Sequence, residues 1–185
     1  VTLSRLLLAA LAGALLAGCA TVPGGSGADG TRADALVRLA VPFFPDDSDQ
    51  CGPSVLASVL TYWGRPESPA NLRRELYRAR LKGALTVDLL LAAQGRGFAA
   101  EMAEDGLGRI RAELDAGRPV IAFLDVGMTV LAVGHYIVIT GYDDGGRRFF
   151  AHSGMSRDKA ITYDKFEKQW KAAGQWALLI QPPLK

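Results

Sequence analysis

The sequence predicts an α+β fold, with helices first and an antiparallel sheet after them. Three observations predict it. Four blocks between Cys51 and Ala116 carry apolar residues at helical spacing. From Pro119 the pattern changes to short runs rich in β-branched and aromatic residues. Asp143-Asp144-Gly145-Gly146 then lies between two such runs as a hairpin signal.

Cys51 to Trp63 is predicted as the first helix, stopped by Gly64 and Pro66. Val55, Val59 and Tyr62, joined by Leu56 and Leu60, give it a broad apolar face. Ser68 caps a second helix with Pro69 in its first turn, running to about Ala79. Thr86 caps a third, Val87 to Gln94, before Gly95 and Gly97. Gly106 to Ala116 is a fourth, stopped by Gly117. The predicted strands are Val120 to Leu124, His135 to Tyr142, Arg148 to Ala151, Ala160 to Thr162 and Trp176 to Gln181. A helix from Asp164 to Ala173 precedes the last of them, and Trp63, Trp170 and Trp176 read as core aromatics.

With 185 residues and 49% hydrophobic content, the chain suits one compact domain plus a short extra segment. Its formal net charge of +2 is scattered, with no dense basic block, so nucleic acid is not an expected partner. The extra segment is N-terminal: Arg5, an almost pure Leu/Ala run from Leu6 to Leu16, then Gly18-Cys19. This is a signal-peptide layout, too short for a spanning helix of about 20 residues. Leu16-Ala17-Gly18-Cys19 resembles a bacterial lipobox, which implies cleavage before Cys19, lipidation of its thiol and a membrane anchor. An ordinary secretory signal or a membrane anchor is the alternative. Ala20 after the cysteine suggests the outer membrane, with the domain facing the periplasm. The expected organisation is a signal peptide (1–18), a flexible Gly-rich tether (19–35) and one folded domain (36–185).

Of the two cysteines, one would carry lipid and Cys51 would remain a free thiol in an oxidising compartment. Cys51 opens the first predicted helix, where unpaired N–H groups and the helix dipole favour the thiolate. A thiol nucleophile needs a nearby base, and His135, one of two histidines, begins the best strand. A nucleophile at a helix start packed against a histidine-bearing sheet edge is the arrangement of papain-type enzymes. Gly52 would let a substrate backbone approach, and Pro53 suits the first turn. Singly, each residue also reads as ordinary structure: a small buried thiol, a hydrogen-bonded histidine. No residues have metal-ligand spacing and no Gly-rich loop joins a strand to a helix, so no cofactor is expected.

Gln50-Cys51-Gly52-Pro53-Ser54-Val55-Leu56-Ala57, followed by Gly134-His135-Tyr136-Ile137-Val138-Ile139-Thr140-Gly141-Tyr142-Asp143, resembles the bacteriocin-processing, double-glycine-leader cysteine peptidases. These are a branch of the papain-like superfamily. The chain looks most like stand-alone, lipoprotein-type members, whose domain opens with a run similar to Val41-Pro42-Phe43-Phe44-Pro45. The resemblance spans about Leu39 to Pro182. It implies a papain-like fold with the N-terminal helical half packed on an antiparallel sheet. It further implies Cys51 as nucleophile, His135 as general base, and a peptide or protein substrate cut after small residues such as Gly-Gly.

Two positions depart from that family. The family commonly has an oxyanion-binding Gln five or six residues before the nucleophile, where this chain has Asp46 and Pro45. An ionised Asp cannot donate a hydrogen bond, so Gln50 and the Cys51 backbone N–H become the substitute donors. Gln50 also reads as a simple surface amide. The family also places Asp or Asn after the hairpin to orient the histidine; here Ser153 aligns with it, within Phe149-Phe150-Ala151-His152-Ser153-Gly154. A two-residue turn at Asp143-Asp144 would set His152 opposite His135, and a four-residue loop would set Gly154 there. Asp143 and Asp144 themselves fit turn chemistry better than an acidic partner role.

The expectation is therefore a lipid-anchored cysteine peptidase. Its rivals are a thiol acyltransferase or amidase on the same fold, and a non-catalytic peptide-binding lipoprotein.

Overall fold

A computed structural model of the protein describes residues 35–46, 50–128 and 131–182. The expected signal peptide, Cys19 and the tether up to residue 34 lie outside the described residues. Among the described residues, no helix is long and apolar enough to cross a membrane.

The elements run β1 (Leu36–Arg38), α1 (Cys51–Tyr62), α2 (Pro69–Leu76), α3 (Thr86–Gly95), β2 (Ala99–Ala103), α4 (Gly106–Asp115), β3 (Val120–Asp125), β4 (Gly134–Asp143), β5 (Arg148–Ser153), β6 (Ser156–Thr162), α5 (Tyr163–Ala172) and β7 (Ala177–Gln181). All strand pairs are antiparallel in one sheet of order β2-β7-β3-β4-β5-β6. β1 pairs with Gly141–Asp143 of β4, on the edge that β3 leaves after Ile139.

The α+β class holds, but the strict order of helices then sheet does not. β1 and β2 come early, and β2 was not predicted because Ala99-Ala100-Glu101-Met102-Ala103 has little strand propensity. Pairing with β7 supplies what its sequence lacks. Helices also cover both faces. On one side Leu56, Val59 and Leu60 of α1, Leu72 and Leu76 of α2, and Leu89 of α3 pack with Ile121, Val138 and Leu178. On the other, Ile110 and Leu114 of α4 and Phe166 and Trp170 of α5 pack with Val120, Ile137, Ile139 and Leu179. Alternating side chains of the central strands thus feed two cores, which is why those strands read as continuous apolar runs.

The second helix ends at Leu76 rather than near Ala79. Tyr77 is extended, Arg78 bridges to Gly83, and Ala79–Leu81 form a separate 3-10 turn. Ser68 caps α2 as expected, its side chain accepting from Asn71 N–H at 3.2 Å. Thr86 does not cap α3. The flanking residue is Leu85, and the Thr86 hydroxyl is instead 2.8 Å from the Tyr136 hydroxyl.

Candidate active site

α1 is a nearly engulfed helix, with Gly52 through Leu60 buried. Cys51 is its first residue and half-exposed, so the buried stem fixes the sulfur while the helix end reaches the surface. Pro53 costs nothing in the first turn, because N–H groups there lack intrahelical partners. The backbone N–H groups of Cys51, Gly52 and Tyr136 each favour the thiolate electrostatically. The α1 terminus is docked on β4 at the residue immediately following His135, with Gly52 packed against the Tyr136 ring. Cys51 is the free cysteine among the described residues.

Gly52 serves packing rather than substrate access. It is buried, and a Cβ there would lie 3.0 Å from Ala84 Cβ, 3.4 Å from Leu89 Cδ1 and 3.6 Å from Tyr136 Cδ2. Tyr136 is the brace of this corner and was not singled out in the sequence. Its hydroxyl donates to the Ala84 carbonyl oxygen at 3.2 Å, and its ring lies 4.6 Å from that of Phe123. Phe123 stacks at 5.5 Å on Trp176 and covers Gly134, leaving no room for a side chain before His135.

His135 is partly buried, and its Nε2 lies 3.0 Å from the Ser153 hydroxyl. The hairpin that brings Ser153 there follows neither expected register. Its loop is Asp144–Arg147, Asp143 pairs with Arg148, and a bulge between Ile139 and Gly141 shifts the ladder before it ends at Val138↔His152. Gly141 sits at that bulge because a Cβ would lie 2.1 Å from the Val37 carbonyl oxygen of β1.

His152 is engaged by backbone groups at both ring nitrogens. It is buried, its Nε2–H donates to the Val41 carbonyl oxygen at 3.0 Å, and its Nδ1 accepts from Asp158 N–H at 3.2 Å. The ring therefore ties the segment before α1 to β5 and β6. Asp143 and Asp144 are at the other end of β4 from His135 and do turn work. Asp143 accepts from Gly146 N–H at 2.8 Å, while Asp144 accepts from Arg111 and the Tyr163 hydroxyl.

Asp46 lines one small cavity with Cys51, Tyr136, His152 and Ser153, of about 10 Å³, room for roughly one water. Its backbone N–H donates to the Gly154 carbonyl oxygen at 3.2 Å, holding it beside the Ser153 turn. Gln50 is the residue before α1, and its side chain makes no capping bond to the helix. The loop leading into His135 is braced by Asp125, whose Oδ1 accepts from the Gly127 and Val133 N–H groups, each at 2.9 Å. These bonds hold its carboxyl below the usual range. The Asp125-Val126-Gly127 turn pattern was the available sequence signal for that brace.

Electrostatics correct one expectation. Burial pushes the Cys51 thiol above its ordinary value, the Asp46 carboxylate adds to the rise, and the three backbone N–H groups only offset part of it. Burial pulls the His135 imidazole below its ordinary value; Asp46 opposes this and the Lys159 ammonium of β6 reinforces it. Both directions favour a thiol and a neutral imidazole over a preformed ion pair. Helix-end stabilisation is present but loses to desolvation.

Among the described residues, no group of three or more His, Cys, Asp or Glu side chains has metal-binding geometry.

Comparison with known proteins gives one family and one fold. Residues 38–178 match the Peptidase_C39 like family. A putative C39-like peptidase from Bacillus anthracis superposes with a TM-score of 0.66 at 18% identity, covering 82% of this chain and all of that one (100%). The peptidase domain of Streptococcus ComA, a bi-functional ABC transporter involved in quorum sensing, gives 0.61 at 23% identity, covering 79% and 98%. A double glycine motif protease from an AMS/PCAT transporter, in complex with its leader peptide, gives 0.62 at 18% identity, covering 79% and 94%. No functionally curated protein matches the sequence.

Proposed function

The chain belongs to the Peptidase_C39 like family, and from that premise we propose that it is a cysteine peptidase in which Cys51 attacks a peptide carbonyl with His135 as base. The carrying observation is the docking of the α1 terminus on β4. Gly52, next to Cys51, packs against Tyr136, and the preceding residue, His135, has its Nε2 3.0 Å from the Ser153 hydroxyl. With Nε2–H donated to the Ser153 hydroxyl, Nδ1 is the nitrogen left with a lone pair for the thiol proton. Ser153 is thus the positioning residue of this chain, in the place where the family has Asp or Asn.

A raised thiol and a depressed imidazole favour proton transfer from Cys51 to His135 that accompanies attack over transfer that precedes it. The tetrahedral oxyanion then forms at the α1 terminus, where the Cys51 N–H and the Gln50 amide are the candidate donors. The imidazolium protonates the leaving amine, and water hydrolyses the thioester with His135 again as base. A peptide substrate fits the relative bound to a leader peptide and the double-glycine specificity in its name.

The expected anchor extends the proposal: lipidation of Cys19 would hold the domain at the outer membrane, facing the periplasm, by way of the 19–35 tether. A Cys19→Ala substitution that left metabolic fatty-acid labelling unchanged would overturn it.

The peptidase reading is tested by incubating the purified protein with peptides containing Gly-Gly and mapping products by mass spectrometry. Cleavage lost in Cys51→Ala and in His135→Ala supports it. Cleavage that survives Cys51→Ala refutes it. A second reading, a peptide-binding domain without turnover, is favoured by the raised thiol and by Asp46. Peptide binding by wild-type protein with no product at any pH would establish it.

A further inference from the structure

Two Gly-Gly pairs occur in the sequence, Gly24-Gly25 and Gly145-Gly146. The fold withdraws the second. It sits in the loop between β4 and β5, at the opposite end of β4 from His135, with the Gly146 N–H donated to Asp143 at 2.8 Å. The first lies outside the described residues, joined to β1 by a stretch, 26–35, made of Ser, Gly, Ala, Asp, Thr and Arg. Leu36 pairs with Asp143, so the chain enters the sheet at the end of β4 remote from the site. From His135 to Asp143 is eight residues of strand, roughly 26 Å at about 3.3 Å per residue. The ten residues from 26 to 35 reach about 33 Å when extended. One chain can therefore carry its Gly25 carbonyl to its own Cys51.

The site suits what that segment carries. The cavity that Cys51, Tyr136 and Ser153 line, of about 10 Å³, holds roughly one water and no side chain, so an acyl residue without a side chain fits beside it. Exposed apolar groups border the same corner. Residues 126–133, which lead into His135, include no charged residue, and Val126, Met128, Leu131 and Val133 are exposed. Leu85, also exposed, follows Ala84, against which Gly52 packs. In Val22-Pro23-Gly24-Gly25, two apolar side chains precede two residues that have none.

We propose that the chain is its own substrate: Cys51 cuts the Gly25–Ser26 bond, with Val22-Pro23 seated on the apolar loop before His135. This rests on the peptidase reading above. The sulfur bonds to the Gly25 carbonyl carbon, the Gly25–Ser26 bond breaks, and His135 passes the thiol proton to the departing Ser26 amine. Water then releases Gly25 as a carboxylate and returns the thiol. Attachment within one chain presents the segment at an effective concentration on the order of 1 mM, so no tight docking is required. The products are the fragment 1–25, which includes Cys19, and a domain detached from it.

The test makes the full chain by cell-free synthesis from purified components, with no signal peptidase or lipid-transferring enzyme present, and follows its intact mass. A species beginning at Ser26 is expected to accumulate in wild type and to be lost in both Cys51→Ala and Gly25→Val. Gly25→Val alters the segment cut and not the machinery, so that chain should still hydrolyse an added Gly-Gly peptide. Val22→Asp should slow the appearance of the Ser26 species and leave hydrolysis of the added peptide unchanged; equal rates of appearance would overturn the seating on the apolar loop. A wild-type chain that stays intact overturns the proposal, as does the same product from Cys51→Ala or Gly25→Val. The added peptide separates the two readings. Its hydrolysis by a wild-type chain that stays intact sinks self-cleavage and leaves the peptidase reading standing, whereas an intact chain and an intact peptide remove both.

Discussion

The Ser153 hydroxyl stands 3.0 Å from His135 Nε2 and brings a hydrogen-bonding group to the imidazole without bringing a charge. A neutral hydrogen bond contributes about 0.5–1.5 kcal/mol, so Ser153→Ala is expected to lower kcat roughly three- to tenfold. Ser153→Asp should raise the imidazole pKa, because a carboxylate favours the imidazolium. Titration of the His135 ring by NMR checks this, and an unmoved titration in Ser153→Asp would show that residue 153 does not orient the ring.

Opposite shifts at Cys51 and His135 set a pH window for stability. The imidazole is depressed in the fold, so stability is lost as pH falls from about 6.5 through its folded value, where the unfolded chain binds more protons. The thiol is raised, so its contribution is complete below 9.0 and is lost as pH rises above that value through its folded one. Thermal melts from pH 5 to 10 should therefore drop at both ends. Cys51→Ala should remove part of the alkaline drop and none of the acid one. Iodoacetamide alkylation of Cys51 should also have its midpoint above 9.0. A midpoint below 8 would mean that the backbone N–H groups outweigh burial.

Gly134 has no space for a methyl group. A Cβ there would be 2.2 Å from Phe123 Cζ, and the Phe123 ring is held flat on Trp176. Gly134→Ala is expected to cost about 1–3 kcal/mol in urea denaturation, the usual range for overpacking. It should also reduce turnover beyond its effect on folding, because His135 is the next residue. Near-ultraviolet circular dichroism would report the displaced aromatic stack, and an unaltered spectrum with wild-type stability would contradict the packing argument.

Removing the His152 ring orphans two backbone groups at once, the Val41 carbonyl and the Asp158 N–H. His152→Ala is expected to destabilise the protein by about 2–5 kcal/mol, combining lost hydrogen bonds and a cavity. Peptidase activity measured well below the melting temperature should fall less in His152→Ala than in His135→Ala. The reverse order would make His152 the working base.

Much of this site is legible along the chain. The apolar spacing from Val55 to Tyr62 places Cys51 at a helix start, and the β-branched run after His135 places the histidine at the head of a strand. Both assignments are local, resting on a helical period and on a β-branched run that need no partner. The failures are local readings overruled by neighbours. Ala99 to Ala103 becomes a strand because β7 is beside it, and Thr86 gives up a cap to meet Tyr136 across the fold.

What the sequence determined unaided is which chemical groups are present and which end of which element carries them: a thiol on a helix terminus, an imidazole at the start of a strand. The resemblance singled out Ser153, and tertiary structure decided how it reaches His135, through a bulged hairpin in which Gly141 leaves room for β1. It also decided the direction in which the thiol pKa moves, since desolvation depends on everything packed around the sulfur, whereas the helix terminus that opposes it is a property of the chain itself.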